Sequence, residues 1–240
     1  GTYMKVIKFE EINSTNEYAK IAYQELDNNT VIIAKHQTAG KGRLGRTWLD
    51  KDANSALFTI LIKDHLNTSN ISNLTLLMAT SVLKVLNNIT PGFSIKWPND
   101  IYYQDKKVVG ILTESKINNN NVEYVIIGVG INVNQSEFED SLNAISVRQI
   151  TNQKTDIDTL IIEIATTFIS DLTNYFKNDL TYLQIIEDNF YLKDKQVTFI
   201  YNNEERTGKV VGIDKFGGIL IEENNTIKSY QTGEMLLKKK

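Results

Sequence analysis

Apolar and polar positions along the chain follow two periods, one of strands and one of helices. Val6 to Glu10 reads as a short strand. Ser14-Thr15-Asn16-Glu17 then has capping-box spacing, with serine at the N-cap and glutamate three residues on. The helix it opens carries Ala19, Ala22, Tyr23 and Leu26 on one face. Val31 to His36 and Ala56 to Ile62 are buried-strand runs, and Thr38 to Asp52 between them is a glycine-rich basic loop. Leu74 to Leu86 predicts a long helix, with Leu77, Ser81, Val82 and Val85 at helical spacing. Ser94 to Lys96 leads into a turn. Ile101 to Tyr103 and Val108 to Glu114 predict a hairpin closed by Gln104-Asp105-Lys106-Lys107. After a polar turn at Asn118 to Asn121, Val122 to Val133 predicts a strand interrupted at Gly128 and Gly130. Asp156 to Phe176 reads as an amphipathic helix and Asp179 to Phe190 as another.

The pattern changes at Val197. Four short strands follow, Val197 to Tyr201, Gly208 to Ile213, Gly218 to Glu222 and Ile227 to Tyr230, with turns between them, which is the pattern of a small β-barrel. About 50 residues make a marginal domain alone, so this one is expected to pack on the first. The fold class is α+β: a mixed β-sheet flanked by helices, residues 4–190, and a small all-β domain, residues 191–240.

Composition narrows the function classes. At 240 residues, 41% hydrophobic and 23% charged, the chain has ordinary globular composition. No apolar run approaches the ~18 residues of a membrane span. The start has no secretory h-region, and a cytoplasmic setting is expected. The absence of cysteine removes disulfides, thiolate metal sites and cysteine nucleophiles, and two histidines remove a multi-histidine metal site. A net charge of −3 argues against a nucleic-acid binder. Edge-strand pairing with a second copy into a homodimer stays open.

Rare residues cluster. Of four arginines, Arg43 and Arg46 lie in one loop, which suits bidentate anion recognition. Gly40-Lys41-Gly42-Arg43-Leu44-Gly45 matches G-x-G-x-x-G, but Arg46-Thr47-Trp48-Leu49-Asp50 after it is no helix opening, so the dinucleotide reading fails. The glycines allow close backbone approach to a ligand, Lys41, Arg43 and Arg46 attract an anion, and Trp48 offers a stacking surface. Asp100, in Lys96-Trp97-Pro98-Asn99-Asp100, is expected at a loop tip, either holding a hydrated Mg²⁺ or making an Asx-turn. Lys107 at a strand mouth either meets an anion or sits in solvent. Asn132, after Gly128 and Gly130, either reads an adenine edge or is a satisfied bulge residue.

Taken in order, Ser14-Thr15-Asn16, Gln37-Thr38-Ala39-Gly40-Lys41-Gly42-Arg43 with Arg46 and Trp48, Lys96-Trp97-Pro98-Asn99-Asp100, Lys107 with Gly110-Ile111-Leu112, and Gly128-Val129-Gly130-Ile131-Asn132 resemble biotin–protein ligases. The resemblance covers Ile12 to Asn134, and Gly212-Ile213-Asp214 with Thr232-Gly233-Glu234 resembles the family's C-terminal SH3-like domain. It implies a fold of the class II aminoacyl-tRNA synthetase and biotin ligase kind. It also implies a two-step reaction: biotin and ATP give biotinyl-5′-adenylate, and the biotinyl group passes to a lysine of a biotin carboxyl carrier domain. By resemblance, Ser14, Thr15, Asn16, Gln37, Gly40, Lys41, Gly42, Arg43, Lys107 and Gly110 bind biotin. Arg43, Arg46, Trp48, Lys107 and Asn132 bind ATP or the adenylate, Lys107 and Arg43 are catalytic, and Asp100 belongs with Mg²⁺. Lys41 stands where the family's commonest pattern has arginine. The catalytic pattern begins within about ten residues of the start, which implies the monofunctional type, without the winged helix that binds DNA. Lipoate–protein ligase is the nearest alternative, but its Arg-Arg, Gly-Gly-Gly and His-Asp segments are not evident.

Overall fold

A computed structural model describes residues 3–40 and 52–238. Two sheets carry the architecture. The larger has seven strands: β1 (Lys5–Ile12), β2 (Thr30–Gln37), β3 (Ser55–Ile62), β4 (Phe93–Lys96), β5 (Asp100–Tyr103), β6 (Lys106–Asn118) and β7 (Asn121–Asn132). Their order is β1-β2-β3-β7-β6-β5-β4. β1 and β2 run parallel and every other neighbouring pair is antiparallel, so the sheet is mixed as expected.

The alternation of strand side chains divides the buried residues of β3 between two faces. Ala56, Phe58, Ile60 and Ile62 join the main apolar core, which α2 (Leu74–Ile89) and α4 (Ile157–Phe176) cover with Leu77, Met78, Leu83, Ile164 and Phe168. Leu61 joins a smaller cluster on the other face, where Ile32, Tyr124 and Ile126 meet Ala19 of α1 (Thr15–Ala22), with Tyr18, Tyr23 and Leu26 packed against them. Tyr18 is there rather than the expected Ala22. α1 has only eight residues, so part of this face is left uncovered. The site lies there.

Several expectations change. β7 runs unbroken through Gly128 and Gly130, because both keep their ladder partners in β3 and β6. Asp100 is the first residue of β5, opposite Gly110, not a loop tip. Phe93 to Lys96 is a strand of its own, followed by a cis Trp97-Pro98 bond. α3 (Val147–Thr151) was not foreseen; Ser146 and Gln149 give it a complete capping box. At α1 the serine half of the predicted box forms, Ser14 Oγ accepting from the Glu17 amide at 3.3 Å.

The second sheet holds β8 (Gln196–Tyr201), β9 (Glu204–Ile213), β10 (Ile219–Glu223), β11 (Thr226–Tyr230) and β12 (Met235–Leu237), in the order β11-β10-β9-β8-β12. β12 was too short to read in the sequence. The β9–β10 turn docks on the larger unit: Trp97 Nε1 donates to the Gly217 carbonyl at 2.9 Å, and Asn73 Nδ2 donates to the Lys215 carbonyl at 2.9 Å. α5 (Thr181–Asp188) closes the seam, where Glu187 accepts from the Ile213 amide at 3.1 Å. No helix among the described residues is long and apolar enough to cross a membrane.

Candidate active site

The exit of β2 is tied to the β1–α1 connection. Thr38 N–H donates to the Ile12 carbonyl at 3.0 Å, and Ala39 N–H to the Asn13 carbonyl at 2.8 Å. This sets Gln37, the last residue of β2, beside the first turn of α1. Gln37 Oε1 accepts from Thr15 N–H at 2.8 Å and lies 3.1 Å from Thr15 Oγ1. Gly40 follows, buried, and the chain then enters residues 41–51. Lys41, Gly42, Arg43, Arg46 and Trp48 lie outside the described residues.

A partly open cleft lies on the α1 face of the sheet. Ser14, Thr15, Asn16, Gln37, Lys107 and Gly110 all line it, so six predicted residues from three elements, α1 with its cap, β2 and β6, meet there. Leu57 and Leu112 add apolar surface. Ser14, Thr15 and Asn16 are buried, at 5%, 3% and 7% exposure, although all are polar. Buried polar groups need partners, and a residue that the sequence reading missed supplies one each to Thr15 and Asn16. Thr59 Oγ1, fully buried on β3, lies 2.7 Å from Thr15 Oγ1 and 2.6 Å from Asn16 Oδ1. The signal was available, since Thr59 is the polar residue inside the apolar run Ala56 to Ile62. Across the ladder from Thr59 is Gly128. A Cβ there would stand 2.4 Å from Asn16 Oδ1, so the close approach requires glycine.

Beyond Asn16 the chain of partners turns ionic. Asn16 Nδ2 donates to Glu114 Oε2 at 3.0 Å and to the Leu112 carbonyl at 3.3 Å. Glu114 Oε1 pairs with Lys20 at 2.6 Å, and Lys20 with Glu17 at 2.9 Å. Burial lowers the pKa of the Lys20 ammonium, but the bonds to Glu114 and Glu17 outweigh it, and the net shift is upward. Neither Glu114 nor Lys20 was foreseen.

Lys107 reaches the cleft through an irregularity in β6. Val109 and Ile111 point into the main core. In a regular strand Lys107, two residues before Val109, would point there too. Between β5 and β6 the register slips: Ile101 pairs with Val109, but Tyr102 pairs with Lys107. Val108 is therefore the extra residue of a β-bulge, and it joins the core beside Val109. The slip turns Lys107 to the opposite face, with Gly110, Leu112 and Glu114. There Lys107 Nζ stands 3.2 Å from Asp100 Oδ1 across the β5–β6 ladder. The Lys107 backbone is held on both sides. Its N–H donates to the Asn143 carbonyl at 3.0 Å, and its carbonyl accepts from Ile145 N–H at 3.0 Å and from Asn132 Nδ2 at 3.2 Å. Asn132 is buried and not part of the cleft lining; its amide holds the strand that presents Lys107.

Chemically the cleft offers a hydroxyl and amide floor at one end and a cation beside a carboxylate at the other. A neutral polar ring and an anionic tail would suit it. A sequence model of the biotin/lipoate A/B protein ligase family matches residues 8–132, and one of the biotin protein ligase C-terminal domain matches residues 194–238. The second match separates the biotin branch from the lipoate branch. The chain belongs to the biotin protein ligases. It is 32% identical to the bifunctional ligase/repressor BirA of Bacillus subtilis over 97% of this chain and 74% of that protein. It is 30% identical to BirA of Escherichia coli over 95% of this chain and 72% of that one. The fold matches that of a biotin protein ligase from Aquifex aeolicus, solved in complex with biotin and ATP. The TM-score is 0.86 at 30% identity, covering 98% of this chain and 99% of that one.

Proposed function

We propose that this biotin protein ligase activates biotin with ATP at the α1-face cleft and passes the biotinyl group to a lysine of a biotin carboxyl carrier domain. The observation that carries this is the meeting of the Thr15, Asn16 and Gln37 floor with Lys107 in one cleft. In this reading Ser14, Thr15, Asn16 and Gln37 hold the ureido ring, and Gly110 leaves room for the valeryl chain. Gly40, Lys41, Gly42 and Arg43 cover the bound biotin. Lys107 meets the biotin carboxylate and then the adenylate phosphate. Arg43 and Arg46 face the phosphates, and Trp48 packs on adenine. Asn132 acts on adenine through its remaining amide capacity, or through its grip on the Lys107 backbone.

The first step joins two anions, and the carboxylate is already ionised, so no general base is needed. A biotin carboxylate oxygen bonds to the α-phosphorus of ATP and pyrophosphate leaves. Lys107 offsets charge where the carboxylate and phosphate meet. Holding the reactants in line is worth about 7–11 kcal/mol. In the second step the carrier amine attacks the mixed anhydride and AMP leaves.

Magnesium enters with the triphosphate. Asp100 Oδ1 is buried and, among the described residues, has no hydrogen bond; the Lys107 ammonium is its neighbour. Among the described residues no group of three acidic or histidine side chains is placed to hold a metal ion. One such carboxylate fits a Mg²⁺ that keeps waters and phosphate oxygens as its other ligands, not an ion caged by protein. When bound, the ion neutralises phosphate charge.

Residues 4–190 form the catalytic unit in this reading and 191–240 the SH3-like domain that braces it. ATP–pyrophosphate exchange with biotin, lipoate or no added acid tests the proposal. Exchange with biotin alone is expected. Exchange with lipoate, or none with either acid, would overturn it.

A further inference from the structure

Donor and acceptor roles in the cleft floor follow from counting protons, starting at Glu114. Both partners of Asn16 Nδ2, the Glu114 carboxylate and the Leu112 carbonyl, are pure acceptors. The nitrogen of the Asn16 amide must therefore face them, and its Oδ1 must face Thr59. Asn16 Oδ1 can only accept, so the single hydroxyl proton of Thr59 goes to it, across 2.6 Å. Thr59 has no second proton to give Thr15, 2.7 Å away, and can only accept from it. Gln37 Oε1 lies on the other side of Thr15 and also only accepts. The one hydroxyl proton of Thr15 is thus committed to Thr59 or to Gln37. Whichever takes it, Thr15 Oγ1 offers the cleft a lone pair and no proton.

We propose that Thr59 is a positioning residue that, anchored by Glu114, fixes Thr15 as an obligate acceptor, so that the floor selects a ligand bearing an N–H donor. The ligand class is a neutral cyclic urea or amide. A thioether or disulfide ring offers no such proton. The inference rests on the biotin reading above and adds how the pocket rejects rings without an N–H. Lys20 holds Glu114 in place through its 2.6 Å ion pair, so the asymmetry has a fixed origin. Gly128 allows the approach, since any Cβ there would push Asn16 away.

The test compares Thr59→Val, Thr59→Ser and Glu114→Gln by biotin calorimetry and by exchange kinetics. Thr59→Val keeps the shape and removes the hydroxyl, which leaves Asn16 Oδ1 without its donor and leaves the Thr15 proton only the longer 3.1 Å contact with Gln37. Biotin affinity is expected to fall about tenfold or more, the order for a buried polar group left unpaired. The KM for ATP should change less than about threefold. Thr59→Ser should recover biotin affinity to within about threefold of the starting protein. Glu114→Gln lets an NH₂ replace a carboxylate oxygen, so the Asn16 amide is no longer forced one way; about a fivefold loss is expected. Should Thr59→Val fail to fold, Thr59→Ser and Glu114→Gln decide. Unchanged biotin affinity in Glu114→Gln or in folded Thr59→Val would overturn the proposal. So would a loss shared equally by biotin and ATP that serine does not recover. Absence of biotin binding in the unsubstituted protein is a separate outcome: it overturns the biotin reading itself and this proposal with it.

Discussion

The two faces of the seven-stranded sheet are made by the same strands and differ in nearly every physical respect. The α2–α4 face is dry: Phe58, Leu83 and Phe168 are essentially fully buried in one continuous apolar cluster. The α1 face has a small apolar cluster around Ile32 and Ile126, and beside it a floor of Thr15, Asn16 and Thr59. β3 serves both, sending Phe58 and Ile60 one way and Leu57 and Thr59 the other. Strand alternation thus separates stability from chemistry at a spacing of one residue. The bulge at Val108 moves Lys107 from the first face to the second.

Deleting Val108 attacks that division most directly. Regular alternation would return, and either Lys107 would face the core or Val109 and Ile111 would leave it. Exchange activity is expected to fall by at least ~10²–10³-fold, as for loss of a charge donor. Thermal stability should fall with it. Retained exchange would show that the bulge does not place Lys107. Phe168→Ala, on the dry face, should cost about 3–5 kcal/mol in denaturant unfolding, while the folded fraction keeps its exchange rate within about twofold. Loss of activity in folded protein would show that the two faces are coupled. Gly128→Ala reverses the emphasis. The added methyl displaces Asn16, biotin affinity should fall about tenfold, and the melting temperature should drop by only a few degrees, an overpacking cost of about 1–3 kcal/mol. The smallest effect is alkaline. Burial pushes the Tyr175 phenol, behind the dry face, up to about 12, against about 10 in an unfolded chain. Its neutral form is favoured in the fold, so that contribution is complete below pH 10 and is lost as pH rises from about 10 towards 12. Tyr175→Phe should remove one late-ionising phenol from a spectroscopic titration; loss of a phenol that ionises near the ordinary value of about 10 would instead place Tyr175 in solvent.

Much of the α1 face was legible in the sequence. Ser14-Thr15-Asn16, Gln37, Lys107 and Gly110 belong to ordered motifs, and all line the cleft. Thr59 was less visible because a single threonine in an apolar strand usually needs no explanation. Glu114 and Lys20 were not singled out, since nothing local shows that they meet across α1 and β6. The bulge left no trace in the pattern. Val108-Val109 is continuous apolar sequence, and a strand buried on both faces looks the same. Asp100 was misplaced for a related reason: Asn-Asp suggested a turn, whereas pairing with Gly110 draws it into β5. β12 and α3, at three and five residues, are too short for a period to register.

The central claim is that the bulge-turned Lys107 serves adenylation on the α1 face. The most direct measurement is biotin-dependent ATP–pyrophosphate exchange in Lys107→Ala at saturating biotin and ATP, with folding checked by circular dichroism. A loss of about 10²–10³ with the fold intact is predicted. A change under about fivefold would remove Lys107 from the reaction and contradict the account.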